Sequence, residues 1–106
     1  MREFRPKQLA QYLSECAQAP LLLDVRETWE FDICKLPDSI LVPMSQIPGY
    51  INELDPGQEV VIICHHGIRS RQVARFMEYQ GFKNVINLNG GLDAWAFEVD
   101  HSMSTY

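Results

Sequence analysis

Residues 60–71 read Val-Val-Ile-Ile-Cys-His-His-Gly-Ile-Arg-Ser-Arg, and this segment constrains the fold more than any other. The short apolar run from Val60 to Ile63 has the pattern of a strand buried on both faces. It stops at Cys64. A brief polar loop with a single glycine follows, and a helical pattern rich in arginine begins near Ser70. Ligand sites of open α/β sheets lie at the carboxyl ends of the strands. There the positive end of a helix and nearby cations favour thiolate over thiol. Residues 64–77 contain Arg69, Arg71 and Arg75 and no acid, although the whole chain carries a net charge of −5. The local pattern therefore favours an anion beside the Cys64 sulfur.

The remaining chain alternates helix and strand signals around this unit. Leu9, Tyr12, Leu13 and Cys16 share one helical face, which predicts a helix over 7–17. Leu21 to Val25 reads as a short buried strand, Glu27 to Asp32 as a helical turn whose extension Pro37 blocks, and Ser39 to Val42 as a second strand. Ile47, Tyr50, Ile51 and Leu54 give another helical stripe, with Ser45 as its candidate cap. Asp55-Pro56-Gly57 is a turn and Glu59 to Ile63 the third strand. Val73, Phe76, Met77 and Gln80 mark the inner face of the following helix, which Gly81 closes. Asn84 to Leu88 is the last strand, and Asn89-Gly90-Gly91 leads into a final helix carrying Trp95. No period is visible from Asp100 to Tyr106. This alternation predicts an α/β fold with three layers, a mainly parallel central sheet and helices on both faces.

At 106 residues the chain is expected to form one domain, residues 1–106. Its acidic balance argues against nucleic-acid or anionic-membrane partners. No stretch approaches the length of a membrane span. Met1 to Pro6 lacks the apolar stretch of a secretory signal. Three cysteines, Cys16, Cys34 and Cys64, cannot all pair. A reducing, cytoplasmic setting is the expectation.

The loop itself suggests a chemistry. Backbone N–H groups following Cys64 can curl toward the sulfur and form an anion-binding nest without a metal. Gly67 is placed to supply a positive φ that a side chain would resist. Arg69 can steady the loop or meet an anionic substrate, and His65 and His66 add polar groups. A thiolate nucleophile that becomes a bound anion fits this arrangement.

The segment Cys64-His65-His66-Gly67-Ile68-Arg69-Ser70 resembles the active-site loop of the rhodanese family of sulfurtransferases. Leu22-Leu23-Asp24-Val25-Arg26-Glu27, with Trp29-Glu30-Phe31, is similar to the family's first strand and the turn after it. Leu36-Pro37-Asp38-Ser39-Ile40 with Val42-Pro43 resembles a second family signature, and Gly81-Phe82 through Trp95 resembles the end of such domains. The likeness covers roughly residues 5–97, in order, and is greatest to stand-alone rhodaneses. It implies that Cys64 is catalytic and takes a sulfane sulfur from thiosulfate or a persulfide donor. The Cys64 persulfide then passes it to a thiol or to cyanide. Substrate contacts would come from His65, His66, Gly67, Ile68, Arg69 and Ser70. The loop amides would cradle the persulfide, and Arg69 would stabilise the loop and the sulfonate of the donor. The resemblance implies no cofactor and no metal, and leaves room for a protein as sulfur acceptor. It departs from the family at Cys34-Lys35-Leu36-Pro37-Asp38, where Gly-His-Ile-Pro-Gly is commoner.

Other readings compete at several positions. Cys16 on an apolar helical face reads as core filling. Cys34 reads as structural, with a second reactive thiol as the alternative. Metal binding by Cys64, His65 and His66 is disfavoured, because adjacent residues rarely face one ion and no second ligand cluster is visible. Asp24 and Glu30 read as scaffolding, with Asp24 on backbone amides and Arg26 paired to Glu30 or Glu27. Arg71 and Arg75 share a helical face that is either a docking patch or merely solvated. Trp29 and Trp95 read as packing residues or as walls of the pocket mouth. A cysteine-dependent phosphatase would need arginine six positions after the cysteine, where Ser70 stands. A sulfur carrier or redox-sensing module acting on a protein partner would form the same persulfide.

Overall fold

In the computed structural model, which describes residues 1–106, five strands form one parallel sheet in the order β1-β5-β4-β2-β3. The strands are β1 (Arg2–Phe4), β2 (Leu21–Asp24), β3 (Ile40–Leu41), β4 (Val60–Ile63) and β5 (Val85–Leu88). The helices are α1 (Pro6–Glu15), α2 (Thr28–Ile33), α3 (Ile47–Tyr50), α4 (Ile68–Tyr79) and α5 (Gly91–Glu98). The predicted α/β class and parallel sheet hold.

The alternation of side chains along β4 explains the layering. Val60, Ile62 and Cys64 point to one face and pack with Leu23 of β2, Ile47 of α3, Ile51 just after it, and Val73, Ala74 and Met77 of α4. Val61 and Ile63 point to the other face, with Leu9 of α1 and Leu92 and Trp95 of α5. All four residues of β4 are fully buried. Complete burial of such a side chain contributes about 1.5–3 kcal/mol, so β4 is fixed from both sides. Cys64 follows it directly and inherits that rigidity.

Three expectations change. β1 has no counterpart in the sequence reading: two of its three residues are charged and exposed, and only Phe4 is buried. It exists because it adds to the edge of β5, with Arg2 opposite Ile86 and Phe4 opposite Leu88. The stripe from Ile47 to Leu54 is not one helix. Pro48 and Gly49 fall inside it, and α3 is a single turn flanked by 3₁₀ turns at Met44–Gln46 and Ile51–Glu53. Ser45 lies within the first of these turns, and no side chain caps α3. Helix α4 begins at Ile68, two residues earlier than its arginine pattern suggests.

Candidate active site

Cys64 sits where β4 gives way to α4, and only residues 64–67 separate the two elements. So short a connection requires a sharp reversal. Gly67 supplies it at φ 95°, as the sequence predicts. A Cβ there would lie 2.9 Å from the Gly90 nitrogen, so lack of space reinforces the conformational demand. The Gly67 carbonyl accepts bonds from Arg71 N at 3.3 Å and from Asn87 Nδ2 at 3.3 Å. Helix α5 clamps the other side of the loop: Leu92 N donates to Cys64 O at 2.9 Å, and Asp93 N donates to His65 O at 3.0 Å. Gly91 makes this approach possible, since a Cβ on it would collide with the carbonyls of Cys64 and His65.

Two amides donate to the sulfur, and the thiol in turn donates to the Ser70 hydroxyl. Gly67 N lies 3.0 Å from Cys64 Sγ, Ser70 N 3.3 Å, and Ser70 Oγ 3.2 Å. Cys64 is 1% exposed and Ser70 is fully buried. The two loop amides thus face the sulfur, and the Ser70 hydroxyl, which accepts from the neutral thiol, stands where it can donate to a thiolate. Of the other loop side chains, His66 is exposed and Ile68 is 63% exposed.

The arginines are engaged elsewhere. Arg69 forms a two-pronged pair with Glu30, Nη1 to Oε1 at 2.7 Å and Nη2 to Oε2 at 2.8 Å. Glu30 also accepts from Glu27 N at 3.0 Å, closing the capping box of α2, and from the Tyr106 hydroxyl at 2.7 Å. The Arg69 hydrogen bonds hold the Glu30 carboxyl down to about 2, against the opposing effect of burial. Arg71 pairs with Glu3 of β1 at 2.8 Å. Much of the positive charge that the sequence places in this segment is thus balanced by acids from distant strands and turns.

Arg26 is fully buried and pairs with Asp24, Nε to Oδ1 at 2.9 Å and Nη2 to Oδ2 at 2.8 Å. This corrects the expected pairing with Glu30 or Glu27. Arg26 reaches Glu30 only through its backbone carbonyl, at 3.2 Å, because the side chain folds back along its own turn. Burial opposes the Arg26 charge, but the bonds to Asp24 and Tyr106 outweigh it and its pKa lies above the ordinary value. Asp24 does accept from a backbone amide, Arg26 N, at 3.2 Å.

His65 is half-buried, and its ring stacks on His66 and on Tyr106, each at 4.0 Å between centroids. Burial and the neighbouring His66 lower its pKa. The fold adds a neighbour the sequence hides: Asp93 oxygens stand 3.8 Å from Nε2 of both histidines. Cys34 Sγ lies 3.7 Å from Arg26 Nη1. Lys35 places its ammonium 4.8 Å from the Phe31 ring centre. Asp38 adopts φ 65° where the family more often has glycine. Trp95 is buried as expected, whereas Trp29 is 60% exposed, edge-on to Tyr106. Sequence reasoning missed Glu3, Asn87 and Tyr106. No local pattern marks any of them, since each reaches the site only through the sheet order or the returning tail.

The chain matches the rhodanese-like domain model over residues 5–98. The chain belongs to the rhodanese family. It is 35% identical over 97 residues to thiosulfate sulfurtransferase GlpE of Pseudomonas syringae, covering 90% of each chain. It is 42% identical over 74 residues to the putative sulfur carrier protein YrkF of Bacillus subtilis, covering 70% of this chain but only 40% of that protein. The fold matches the crystal structure of SSP1007 from Staphylococcus saprophyticus with a TM-score of 0.84 and 29% identity, over 93% of this chain and 97% of that one. No helix is long and apolar enough to cross a membrane.

Proposed function

We propose that this rhodanese-family chain is a sulfurtransferase and that Cys64 carries the transferred sulfur. In the first step the Cys64 thiolate attacks the outer sulfur of thiosulfate or of a persulfide donor. The S–S bond of the donor breaks, and its electron pair leaves with sulfite or with a thiolate. In the second step an acceptor thiolate or cyanide attacks the terminal sulfur of the Cys64 persulfide, and the Cys64 thiolate returns as leaving group. Neither step changes the net oxidation state of the system.

The observation that carries this reading is the convergence of Gly67 N, Ser70 N and Ser70 Oγ on one sulfur. Preorganised donors aimed at a developing anion lower the barrier without reorganisation during the reaction. The likeness to GlpE supports the same chemistry. Phosphate chemistry fits less well: the arginine stands five positions after the cysteine, and its guanidinium is held by Glu30. The likeness to YrkF supports a second reading, a carrier that hands its persulfide to a protein.

Replacing Cys64 by serine should abolish thiosulfate:cyanide sulfur transfer, whereas Cys16→Ser should leave it largely intact. Near-normal turnover in Cys64→Ser would defeat the proposal. Slow turnover with small acceptors, together with rapid discharge to a protein thiol, would select the carrier reading.

A further inference from the structure

The segment after α5 has no sequence period, yet it follows a defined path. Val99 N and Asp100 N both donate to Trp95 O, at 2.8 and 3.0 Å. Asp100 Oδ1 then accepts from Ser102 N at 3.1 Å and Ser102 Oγ at 2.6 Å, an Asx turn that reverses the chain. Met103 packs against the α1–α5 face of the core. Ser104, Thr105 and Tyr106 are thereby delivered onto Cys34, His65, Leu92 and Asp93, with no space for a water molecule between them.

Tyr106 makes the decisive contacts. Its ring lies on His65 at 4.0 Å and 20°. Its hydroxyl donates to Glu30 Oε2 at 2.7 Å and accepts from Arg26 Nη1 at 3.0 Å. His65 directly follows the nucleophile at one end of the loop. Glu30 grips Arg69, which lies near the other end. One side chain therefore joins His65, at the start of the loop, to the Glu30–Arg69 pair near its end, and Cys64 between them is only 1% exposed.

We propose that Tyr106 is a specificity-determining residue and that residues 100–106 form a strap over the Cys64 loop, which selects sulfur donors and acceptors by size. The proposal rests on the sulfur-transfer reading for its biological meaning, but the strap can be tested without it. Tyr106 is held by its stack on His65, its edge contact with Trp29 and two hydrogen bonds. Such segments open locally at far less cost than the core. Cyanide and other small reagents reach the sulfur with the strap seated. A bulky thiol, such as a cysteine within a peptide, requires it to lift.

The test is alkylation of Cys64 by iodoacetamide and by a fluorescein-sized iodoacetamide. The rate is read on the Cys64 peptide by mass spectrometry, so that Cys16 and Cys34 do not interfere. Tyr106→Ala should raise the bulky-to-small rate ratio roughly a hundredfold, the combined weight of its ring contacts and two hydrogen bonds. Tyr106→Phe retains the ring contacts and should raise it less, on the order of tenfold for the two lost hydrogen bonds. Equal acceleration of both reagents, or an unchanged ratio in Tyr106→Ala, would overturn the strap. Steady-state kinetics with cyanide and with a cysteine-containing peptide as acceptors should show the same shift in kcat/KM. A shifted alkylation ratio in a protein that never acquires sulfur on Cys64 would leave the strap standing and remove the sulfur-transfer reading.

Discussion

Arg69 shows how a residue can be placed correctly by sequence and still act differently from what its type suggests. Its position in the loop resembles the family pattern, and a cation near an anionic donor invites a direct contact. The fold gives both prongs of its guanidinium to Glu30, at 2.7 and 2.8 Å. Its raised pKa, caused first by those hydrogen bonds, keeps it charged throughout the working range. Those two bonds tie the beginning of α4 to α2. Arg69→Ala should therefore slow sulfur transfer from thiosulfate and from an uncharged persulfide donor by the same factor, on the order of tenfold for a lost charge-assisted pair. Parallel kinetics with the two donors check this, and a loss confined to thiosulfate would place the guanidinium on the donor. What sequence left hidden at this scale was the set of partners. Glu30 stands 39 residues from Arg69 and Glu3 stands 68 from Arg71, and no spacing rule joins residues so far apart.

The elements that sequence made legible are those whose signal is internal. Strand β4 is a continuous apolar run bounded by a turn and a cysteine, and α4 has an apolar face built from Val73, Ala74 and Met77. Both lie close to where their patterns put them. β1 was not legible, because it owes its existence to pairing with β5, and the helical stripe at Ile47–Leu54 was legible as helical but not as a single turn of α3 flanked by 3₁₀ turns. The junction between loop and α5 belongs to the same class. Its requirement is close approach, which a glycine pair suggests but does not locate. Gly91→Ala tests that junction. The new methyl group would collide with the Cys64 and His65 carbonyls at φ 61°, so α5 must withdraw and the bonds from Leu92 N and Asp93 N must lengthen. A loss of about 2–4 kcal/mol in stability is expected from strain and two weakened buried hydrogen bonds. Thermal or urea melts would measure it, with a fall in sulfur transfer beyond the loss of folded protein.

Across the whole molecule, the sheet carries the sulfur on a strand fixed from both faces, while α2, α4 and the returning tail meet at Glu30. This meeting point has a pH signature. The Glu30 carboxyl falls from its ordinary 4.5 to about 2, chiefly through Arg69. A depressed folded-state pKa means that the stabilisation is fully present above pH ~4.5 and is lost as pH falls through ~2, below which both folded and unfolded states are protonated. Glu30→Gln should be less stable than the parent at neutral pH, and the gap should close through that acid window in melts followed by circular dichroism. A gap independent of pH would contradict the ion pair. The parallel α/β architecture was legible from alternation alone, but the convergence of these three segments was not, since the tail has no periodicity.

The most direct test of the central claim is the intact mass of the protein after exposure to thiosulfate, with the modified peptide located by fragmentation. The account predicts a gain of one sulfur atom on Cys64, none on Cys16 or Cys34, and complete reversal on adding cyanide. An unmodified Cys64, or sulfur residing stably on another cysteine, would contradict it.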